Sequence, residues 1–448
     1  MHILPQLRKL EEKYADILTV VGVHSAKFNA EKSPENVRAA ICRYGIDHPV
    51  VNDVDFEIWK SYAVRAWPTL MFLDPNGKVI VRHEGEFAVD ALDQVLTAMI
   101  DEHEPSGNFV RGKLDLLPET QPETQLSFPG KVTVDAEREI LVISDSNHRR
   151  IVVSNLDGNV ETVIGNGESP LSDIEHPGVF TARSFDRPLF ENPQGVVIEG
   201  ETLYVSDAGT HTIVEINLIT RTAETIAGTG EQSLYRHQGG DALDTPLNSP
   251  YDISLHQEVL YVAMAGFHQL WSMNIVESTV TPFAGDGIED IHDDLKSNAR
   301  LAQPYGIEVS NNAVFFIDSE TSSLRVSSIA DEGRVVTLVG KGLFDFGDAD
   351  GVGKDALFQH PQGLTVSKDV IYIADSYNNK IKSVAIGSLE VCTVAGSGIA
   401  GDMDGNSRIA QFSEPAGVAV GGDRIYVADT NNHKIKIIEL DTKEVHLL

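Results

Sequence analysis

Two cysteines are the residues of this chain that could perform thiol chemistry, and their positions argue against it. Cys42 lies in RAAICRYG and Cys392 lies in EVCTVAG, in distant parts of the chain. Dithiol exchange needs an activated thiolate and a second cysteine that resolves the mixed disulfide. We therefore expect both cysteines to be buried structural residues, and we assign no catalytic residue. Two distant cysteines also form no disulfide framework, which favours a reducing compartment.

Alternating carboxylates could bind a cation in two glycine-rich segments, GDADG at 347–351 and GDMDG at 401–405. An Asp-x-Asp-Gly sequence resembles the start of an EF-hand calcium loop. However, no glutamate follows at the EF-hand spacing, and no helical pattern flanks either segment. We therefore interpret both segments as solvated acidic turns.

Histidines and serines provide no stronger candidate for a metal site or a hydrolase. Four histidines recur at wide intervals, whereas a metal site needs three or four ligands that converge. A nucleophilic serine in the pattern Gly-x-Ser-x-Gly does not occur. The sequence thus predicts neither a metal nor a cofactor. The four histidines are His148, His211, His268 and His433.

The acidic balance of the chain limits its partners. The 448 residues include 67 acidic and 35 basic residues, for a net charge of −32, and no run of basic residues is longer than two. Such a chain repels phosphate backbones and anionic lipids. No stretch approaches the length of a membrane span, and the first residues lack the pattern of an export signal. We expect no nucleic-acid or membrane partner and a cytoplasmic location.

The first hundred residues alternate between helical and strand patterns. SPENVRAAICRYG begins with a serine cap and a proline at the first helical position. Asn76 and Gly77 are turn residues between two strand patterns. The predicted order is helix 3–15, strand 18–24, helix 33–45, strand 49–53, helix 56–64, strands 69–74 and 78–83, and helix 89–102. Residues 104–125 follow as a linker rich in Pro, Glu, Gln and Thr, with one short strand predicted in GKLDLL.

A unit of 54 to 62 residues then repeats six times, from Leu126 to the C-terminus. Each unit opens with a proline, at 129, 193, 250, 304, 361 and 415. Each contains four short β-rich runs separated by Gly, Asn and Asp turns, which is typical of a β-propeller blade. We therefore predict a six-bladed propeller over 126–448. Blade six should be built from its own segment and pack directly on blade one.

An aspartate ends the second strand pattern in five of the six units, and Met264 replaces it in the third. We call it the repeat aspartate. Its carboxylate can accept hydrogen bonds from the amides of the turn that follows, as in an Asx turn. We predict a structural role, because the methionine shows that the position is not a ligand contact in every blade. The five residues are Asp145, Asp207, Asp318, Asp375 and Asp429.

Two resemblances follow from these motifs. ADTNNHKIKII at 428–438, DSYNNKIK at 375–382 and DSNHRRIVV at 145–153 resemble the NHL repeat, which is named for its Asn-His-Leu core. RAWPTLMFLDPNGKV at 65–79 resembles the cis-proline segment of the thioredoxin fold, and the order of elements around it agrees. The chain is thus similar to thioredoxin–NHL proteins. This implies an α/β thioredoxin-like domain at 1–103, a linker at 104–125 and an all-β six-bladed NHL-type propeller at 126–448.

The resemblance also implies a redox site of which this chain carries only part. In the similar proteins, a strand and a Cys-x-x-Cys motif precede the helix that matches 3–15, and neither occurs here. Trp67, Pro68 and Thr69 match the cis-proline segment beside that motif, so we expect a cis peptide bond before Pro68. We therefore expect a thioredoxin-like domain that is incomplete at its N-terminus and redox-inactive in this chain. A start codon assigned too late, or a gene that lost the segment, would each explain this.

Three functions remain open. The favoured one is a binding or scaffold protein, because a propeller presents loops on a ring to a protein or peptide partner. The second is a thiol–disulfide oxidoreductase whose full-length form carries an upstream Cys-x-x-Cys. The third is a calcium-dependent lyase or lactonase, as some six-bladed propellers are. The inner strands here offer few metal ligands beyond Asp252 and Glu308.

Overall fold

The computed structural model describes residues 3–85, 87, 89–107, 111–112, 115–172 and 178–448. The chain divides into two units, Met1–Glu123 and Thr124–Leu448. Each unit has a buried apolar core of its own. Among the described residues, no helix is long and apolar enough to cross a bilayer.

The first unit follows the predicted order of helices and strands. Helix Pro34–Arg43 begins as predicted, because the Ser33 side chain accepts a hydrogen bond from the Asn36 amide. The core of this unit forms where its first and last helices pack together. The helices are Leu4–Lys13, Pro34–Arg43, Glu57–Ser61 and Val89–His103, and the strands are Gly22–His24, Val50–Asn52, Thr69–Leu73 and Val79–Glu84.

The strands of the first unit form two separate ladders. Gly22–His24 pairs in parallel with Val50–Asn52, and Thr69–Leu73 pairs antiparallel with Val79–Glu84. The first strand is shorter than the predicted 18–24, because only its last three residues pair with a neighbouring strand. The strand predicted in GKLDLL includes residues 113 and 114, which lie outside the described residues.

The second unit is a ring of six antiparallel sheets, one for each sequence repeat. In each blade the second strand ends at the repeat aspartate or, in blade three, at Met264. The four main strands are Pro129–Asp135, Ile140–Asp145, Arg150–Asn155 and Val160–Ile164 in blade one; Pro193–Glu199, Thr202–Asp207, Thr212–Asn217 and Thr222–Ala227 in blade two; Pro250–His256, Val259–Met264, Gln269–Asn274 and Thr279–Ala284 in blade three; Pro304–Ser310, Ala313–Asp318, Ser323–Ser328 and Val335–Val339 in blade four; Gly363–Ser367, Val370–Asp375, Lys380–Ala385 and Glu390–Ala395 in blade five; and Gly417–Gly421, Arg424–Asp429, Lys434–Glu439 and Glu444–Leu447 in blade six.

Among the described residues, four blades also have a short fifth strand at their outer edge, supplied by the loop that precedes the blade. Each of these strands pairs antiparallel with the fourth strand of its sheet through two residues. They are Arg183–Ser184 in blade two, Gly240–Asp241 in blade three, Gly351–Val352 in blade five and Gly405–Asn406 in blade six.

Blade six closes the ring with strands of its own, as predicted, since its whole sheet comes from 405–447. Its inner strand Gly417–Gly421 lies against Pro129–Asp135 of blade one. Tyr426 of blade six and Leu141 of blade one belong to one buried apolar cluster at this seam. Burial of apolar surface therefore joins the first and last blades.

The residue directly after the repeat aspartate is serine or threonine in four blades, and its hydroxyl forms a hydrogen bond to the next blade. We call each boundary between neighbouring blades a seam. In each case the side chain donates to the carbonyl oxygen of the proline that opens the next blade. Ala208 and Ala265 replace the hydroxyl at the other two seams, where they pack with Tyr251 and Tyr305. The four bonds are Ser146–Pro193 (2.6 Å), Ser319–Pro361 (2.6 Å), Ser376–Pro415 (2.6 Å) and Thr430–Pro129 (2.8 Å).

Replacing Thr430 by valine is expected to lower the free energy of unfolding by about 1 kcal/mol. The substitution keeps the shape of a buried side chain but removes the donor to the Pro129 carbonyl across the closing seam. Urea unfolding measures the difference, with Thr442→Val, at an exposed threonine of the same blade, as the control. An unfolding midpoint that does not change for Thr430→Val would mean that this bond does not stabilise the seam.

Candidate functional site

The segment that resembles a thioredoxin cis-proline has the predicted backbone, because the Trp67–Pro68 peptide bond is cis. The Trp67 indole donates through Nε1 to the Ser25 carbonyl oxygen at 2.8 Å, and its ring centroid lies 4.5 Å from that of Trp59. The Thr69 hydroxyl donates to a carbonyl oxygen three residues earlier, at 2.7 Å. Trp67 nevertheless remains 46% exposed. The segment therefore presents an ordered aromatic surface to solvent.

Both cysteines are free, and the expectation that both are buried is wrong. Cys42 is half-buried in its helix, whereas Cys392 is exposed on the outer strand Glu390–Ala395 of blade five. Successive side chains of a strand point to opposite faces of the sheet. Because Val391 points into the core, Cys392 points outward. Desolvation raises the pKa of both thiols, and the Glu390 carboxylate adds to the effect at Cys392. Neither thiol is therefore activated as a nucleophile.

The repeat aspartate anchors the segment that leads into its own blade. In the five blades that have it, a carboxylate oxygen accepts a hydrogen bond from the backbone N–H two residues before the blade proline. The predicted Asx turn occurs at Asp207, which also accepts from the amides of Gly209 and Thr210. The other four repeat aspartates precede a short 3₁₀ helix and accept no cap hydrogen bond from its backbone amides, so the predicted Asx turn is wrong there. Asp375 and Asp429 accept instead from the side-chain amides of Asn378 and Asn432 in that turn. The five amide donors are Ser127, Glu191, Ala302, Gln359 and Ser413.

The histidines of the repeat turns join neighbouring blades and do not converge. His211, His268 and His433 lie four residues after the repeat position, where the backbone has positive φ in every blade. Nδ1 of each accepts a hydrogen bond of 3.0 to 3.2 Å from the N–H of the residue before the next blade's proline. His148 instead pairs with Asp145 of its own blade. Within the described ranges, no group of three or more His, Cys, Asp or Glu side chains could hold a metal ion.

Blades four, five and six each bury a basic side chain seven residues after the repeat aspartate. Arg325, Lys382 and Lys436 have fully buried side chains. Each contacts the repeat aspartate of its blade and at least one aspartate of the loop that precedes the blade, an arrangement that we call the cation latch. The corresponding residues of blades one to three are Val152, Val214 and Trp271.

In blade five, the Lys382 ammonium lies 2.8 Å from Asp348, 3.3 Å from Asp350 and 3.8 Å from Asp375. Burial alone would lower the pKa of this lysine, but the three carboxylates raise it above its ordinary value. Partial burial likewise opposes ionisation of Asp348, yet hydrogen bonds from Lys380 and Lys382 hold its pKa below the ordinary value. These contacts therefore favour the charged forms of Lys382 and Asp348, whereas burial raises the pKa of the repeat aspartate Asp375 to about 7.

The same contacts in blade six correct the interpretation of the acidic segments as solvated turns. Asp402 and Asp404 of GDMDG each lie 3.1 Å from the buried Lys436 ammonium, as the aspartates of GDADG lie beside the lysine of blade five. These carboxylates neutralise a cation in the interior of the blade. A buried ammonium without such partners would be costly, so the acidic loops are part of the fold.

In blade four, the cation of the latch is an arginine. The Arg325 guanidinium lies 2.8 Å from Asp318 and 3.0 Å from Asp293. It also donates to the backbone carbonyl oxygens of Arg300 at 2.6 Å and His292 at 3.1 Å. Arginine suits this position because its planar group has several donors in a fixed geometry.

The cation latches bind the connecting loops to the blades on one face of the ring, which we call the loop face. It carries the connections from the fourth strand of one blade to the first strand of the next. Several bulky apolar side chains of these loops are exposed. They include Tyr235 (77% exposed), Ile288 (45%), Phe344 (70%) and Ile399 (64%), one on each of four successive connections.

An ion pair closes the axis of the ring. At the second residue after the blade proline, four blades have glycine, because the inner strands approach closely: a Cβ at Gly363 would lie 2.2 Å from the Ala416 carbonyl oxygen. Blades one and three have Lys131 and Asp252 there, and their charged atoms lie 3.3 Å apart. Burial raises the pKa of Asp252, and Lys131 opposes this shift. The four glycines are Gly195, Gly306, Gly363 and Gly417.

Glu308 is the second carboxylate predicted to line the channel. It lies two residues after Gly306 in the inner strand of blade four. Its carboxylate accepts a hydrogen bond from the Val366 amide of blade five at 2.8 Å. The side chain is half-buried. Enclosure in the channel raises its pKa to about 7, with a smaller contribution from the Asp252 charge. Glu308 therefore changes protonation close to neutral pH.

Comparison with known proteins identifies both units. A family model described as thioredoxin-like matches residues 1–79, and one described as NHL repeat matches 358–382 and 412–438. NHL repeat-containing protein 2 from Homo sapiens is 36% identical over 486 aligned residues, which cover 100% of this chain and 66% of the relative. The chain belongs to the family of thioredoxin-like NHL-repeat proteins. The matched NHL segments lie in blades five and six and include the latch residues Asp375, Lys382, Asp429 and Lys436.

Relatives in this family are longer than the present chain. Protein SUPPRESSOR OF QUENCHING 1, chloroplastic, from Arabidopsis thaliana is 38% identical over 467 residues, which cover 99% of this chain and 43% of that protein. An auxiliary nutrient binding protein of known structure from Bacteroides thetaiotaomicron has a TM-score of 0.50 at 13% identity, over 70% of this chain and 69% of that one. The latter likeness concerns the fold alone.

Proposed function

We propose that this NHL-repeat chain is a protein-binding scaffold and that the propeller is its interaction platform. The observation that supports this most strongly is the loop face, where Phe344 and Ile399 are 70% and 64% exposed on loops that the cation latches order. Exposed apolar side chains on ordered loops suit a protein or peptide partner. The net charge of −32 disfavours nucleic acid and anionic lipid as partners. Both cysteines are free thiols, which is consistent with a protein that functions in a reducing compartment such as the cytoplasm.

Charge substitutions on the two faces of the propeller test this function. The tagged full chain captures partners from a lysate, and quantitative mass spectrometry compares the captured proteins between variants. Phe344→Asp and Ile399→Asp should remove proteins that the unmodified chain retains. Ile219→Asp is the matched control, because Ile219 is 72% exposed but lies in a turn between the third and fourth strands, at the opposite end of the blade. Equal capture by all variants would contradict binding through the loop face.

A second candidate function is thiol–disulfide exchange by a longer form of the protein. The cis-proline segment and the thioredoxin-like match over 1–79 favour it. The chain with the present sequence lacks a suitable pair of thiols, because Cys42 and Cys392 lie in different units and both have a raised pKa. A calcium-dependent lyase or lactonase is less well supported, since Asp252 in the channel is paired with Lys131.

The 448-residue chain is expected to reduce insulin disulfides no faster than a control without protein. A lone thiol that attacks a disulfide stalls as a mixed disulfide, because no second cysteine resolves it. Turbidity of insulin in the presence of dithiothreitol measures the reaction, with a thioredoxin as the positive control. Activity that Cys42→Ser abolishes would contradict the assignment of this unit as redox-inactive.

A further inference from the structure

The Lys131 ammonium is surrounded by oxygen atoms from three other blades. Nζ donates to the Tyr305 carbonyl oxygen of blade four at 2.9 Å and to the Gln362 carbonyl oxygen of blade five, and it lies 3.3 Å from the Asp252 carboxylate of blade three. We call these three oxygens the axial cage. Lys131 is 6% exposed and Asp252 is 8% exposed. The contacts therefore form in a place where bulk water competes little.

The axial cage has the composition of a site for a hard cation. Backbone carbonyl and carboxylate oxygens are the ligands that calcium takes in proteins. The Asp252 carboxylate also accepts a hydrogen bond at 3.2 Å from the amide of Ile307, the chain neighbour of Glu308, whose charge interacts with that of Asp252. The oxygens come from three blades that the ring fixes relative to one another. They therefore remain near one another when the side chain between them is changed.

The sequence of the ring indicates that the position of Lys131 does not need a side chain. The equivalent position is glycine in four blades and aspartate in one. A glycine at 131 is thus compatible with the inner-strand backbone, and it would leave the volume of a lysine side chain between the oxygens. Removal of the ammonium also leaves the buried Asp252 charge without its partner, which favours any cation that can enter.

We propose that the axial cage is a cation site whose native occupant is the chain's own ammonium, and that calcium occupies it when the Lys131 side chain is removed. This inference does not depend on the proposed protein-binding function. Calcium accepts six to eight oxygens in flexible geometry, so water can complete the ligands of the cage. Magnesium requires a nearly ideal octahedron of short bonds, which three oxygens held by separate blades match less well.

Thermal unfolding of the full chain with Lys131→Gly tests the proposal. The variant should unfold at a lower temperature than the unmodified chain in chelator, and about 10 mM calcium chloride should raise its midpoint by about 5 °C, since binding to the folded state alone stabilises it. The unmodified chain should show no such shift, and magnesium should have a smaller effect. Terbium should also give emission sensitised by tyrosine, because Tyr251 is the chain neighbour of Asp252 and the Tyr305 carbonyl oxygen belongs to the cage.

Two further variants separate a site from a general effect of calcium on an acidic protein. Lys131→Met fills the cage with an apolar side chain and should remain destabilised in calcium. Lys131→Gly combined with Asp252→Asn removes the carboxylate and should lose the calcium shift. If Lys131→Gly does not fold in chelator, folding in calcium supports the proposal and failure to fold in calcium overturns it. A folded Lys131→Gly chain with no calcium shift and no terbium emission, or equal shifts in all three variants, also overturns it.

Discussion

Replacing Arg325 by methionine is expected to lower the free energy of unfolding by about 3–5 kcal/mol, the range for removing one partner of a buried ion pair. The guanidinium is fully buried and lies 2.8 Å from Asp318, which is itself fully buried. Its loss leaves that carboxylate without a compensating charge inside blade four. The substitution also removes the ion pair with Asp293, which lies in the loop at 285–303 that joins blades three and four. Chemical denaturation of the full chain measures the change.

Two controls separate the cation latch from a general effect of removing an arginine. Arg138 pairs with Glu201 at 2.8 Å, but its side chain is 32% exposed, so Arg138→Met should cost less than about 1 kcal/mol. Asp318→Asn combined with Arg325→Met should recover part of the loss, because the amide keeps an acceptor for the Ala302 N–H and no longer carries an uncompensated charge. A loss for Arg325→Met as small as that for Arg138→Met would contradict the latch.

Replacing Glu308 by glutamine is expected to stabilise the protein at pH 8 and to leave its stability nearly unchanged at about pH 4.5. The folded-state pKa of about 7 lies above the ordinary value of 4.5. Between these pH values the folded chain retains a proton that the unfolded chain has released, so stability falls as the pH rises. A shift of this size corresponds to about 3 kcal/mol. Because the side chain is only half-buried, we expect about 2 kcal/mol.

Unfolding in urea at several pH values measures the effect of Glu308→Gln as a difference from the unmodified chain. The difference is needed because burial also raises the pKa of Asp375 and of Asp429 to about 7. These two groups change the stability of the variant and of the unmodified chain with pH in the same way, so their effect cancels in the difference. A difference for Glu308→Gln that does not vary with pH would mean that the channel carboxylate titrates normally.

The propeller could be predicted because its repeating residues keep the same role from blade to blade. A proline opens every blade, and in five blades the repeat aspartate accepts a hydrogen bond from the N–H two residues before that proline. Both residues therefore recur once in a blade, apart from Met264 in blade three. Ring closure by blade six followed from the same count. The exposure of Cys392 was also accessible from the sequence, since Val391 is a core residue and its strand neighbour must face outward.

The cation latches left a signal in the sequence that spacing alone could have revealed. Asp293 precedes Arg325 by 32 residues, and Asp350 precedes Lys382 by 32 residues. The same interval separates Asp404 from Lys436. A single acidic loop is indistinguishable from a solvated turn. An aspartate that precedes a basic residue by the same number of positions in three blades, however, indicates a contact between the two.

The axial cage could not be predicted from the sequence, because it depends on which blades face one another across the channel. Lys131 and Asp252 lie in blades one and three, and their partners include backbone carbonyl oxygens, which carry no sequence signal. The sequence identifies Asp252 and Glu308 as channel residues, but it gives no sign that Lys131 neutralises Asp252.

The most direct test of the central claim, that this chain works by binding through its propeller and not through thiol chemistry, is affinity capture with a chain that lacks both cysteines. The full chain with Cys42→Ser and Cys392→Ser is compared with the unmodified chain and with Phe344→Asp combined with Ile399→Asp. Our account predicts that the cysteine-free chain captures the same proteins as the unmodified chain and that the loop-face variant loses them. Loss of the captured proteins from the cysteine-free chain, with retention by the loop-face variant, would contradict it.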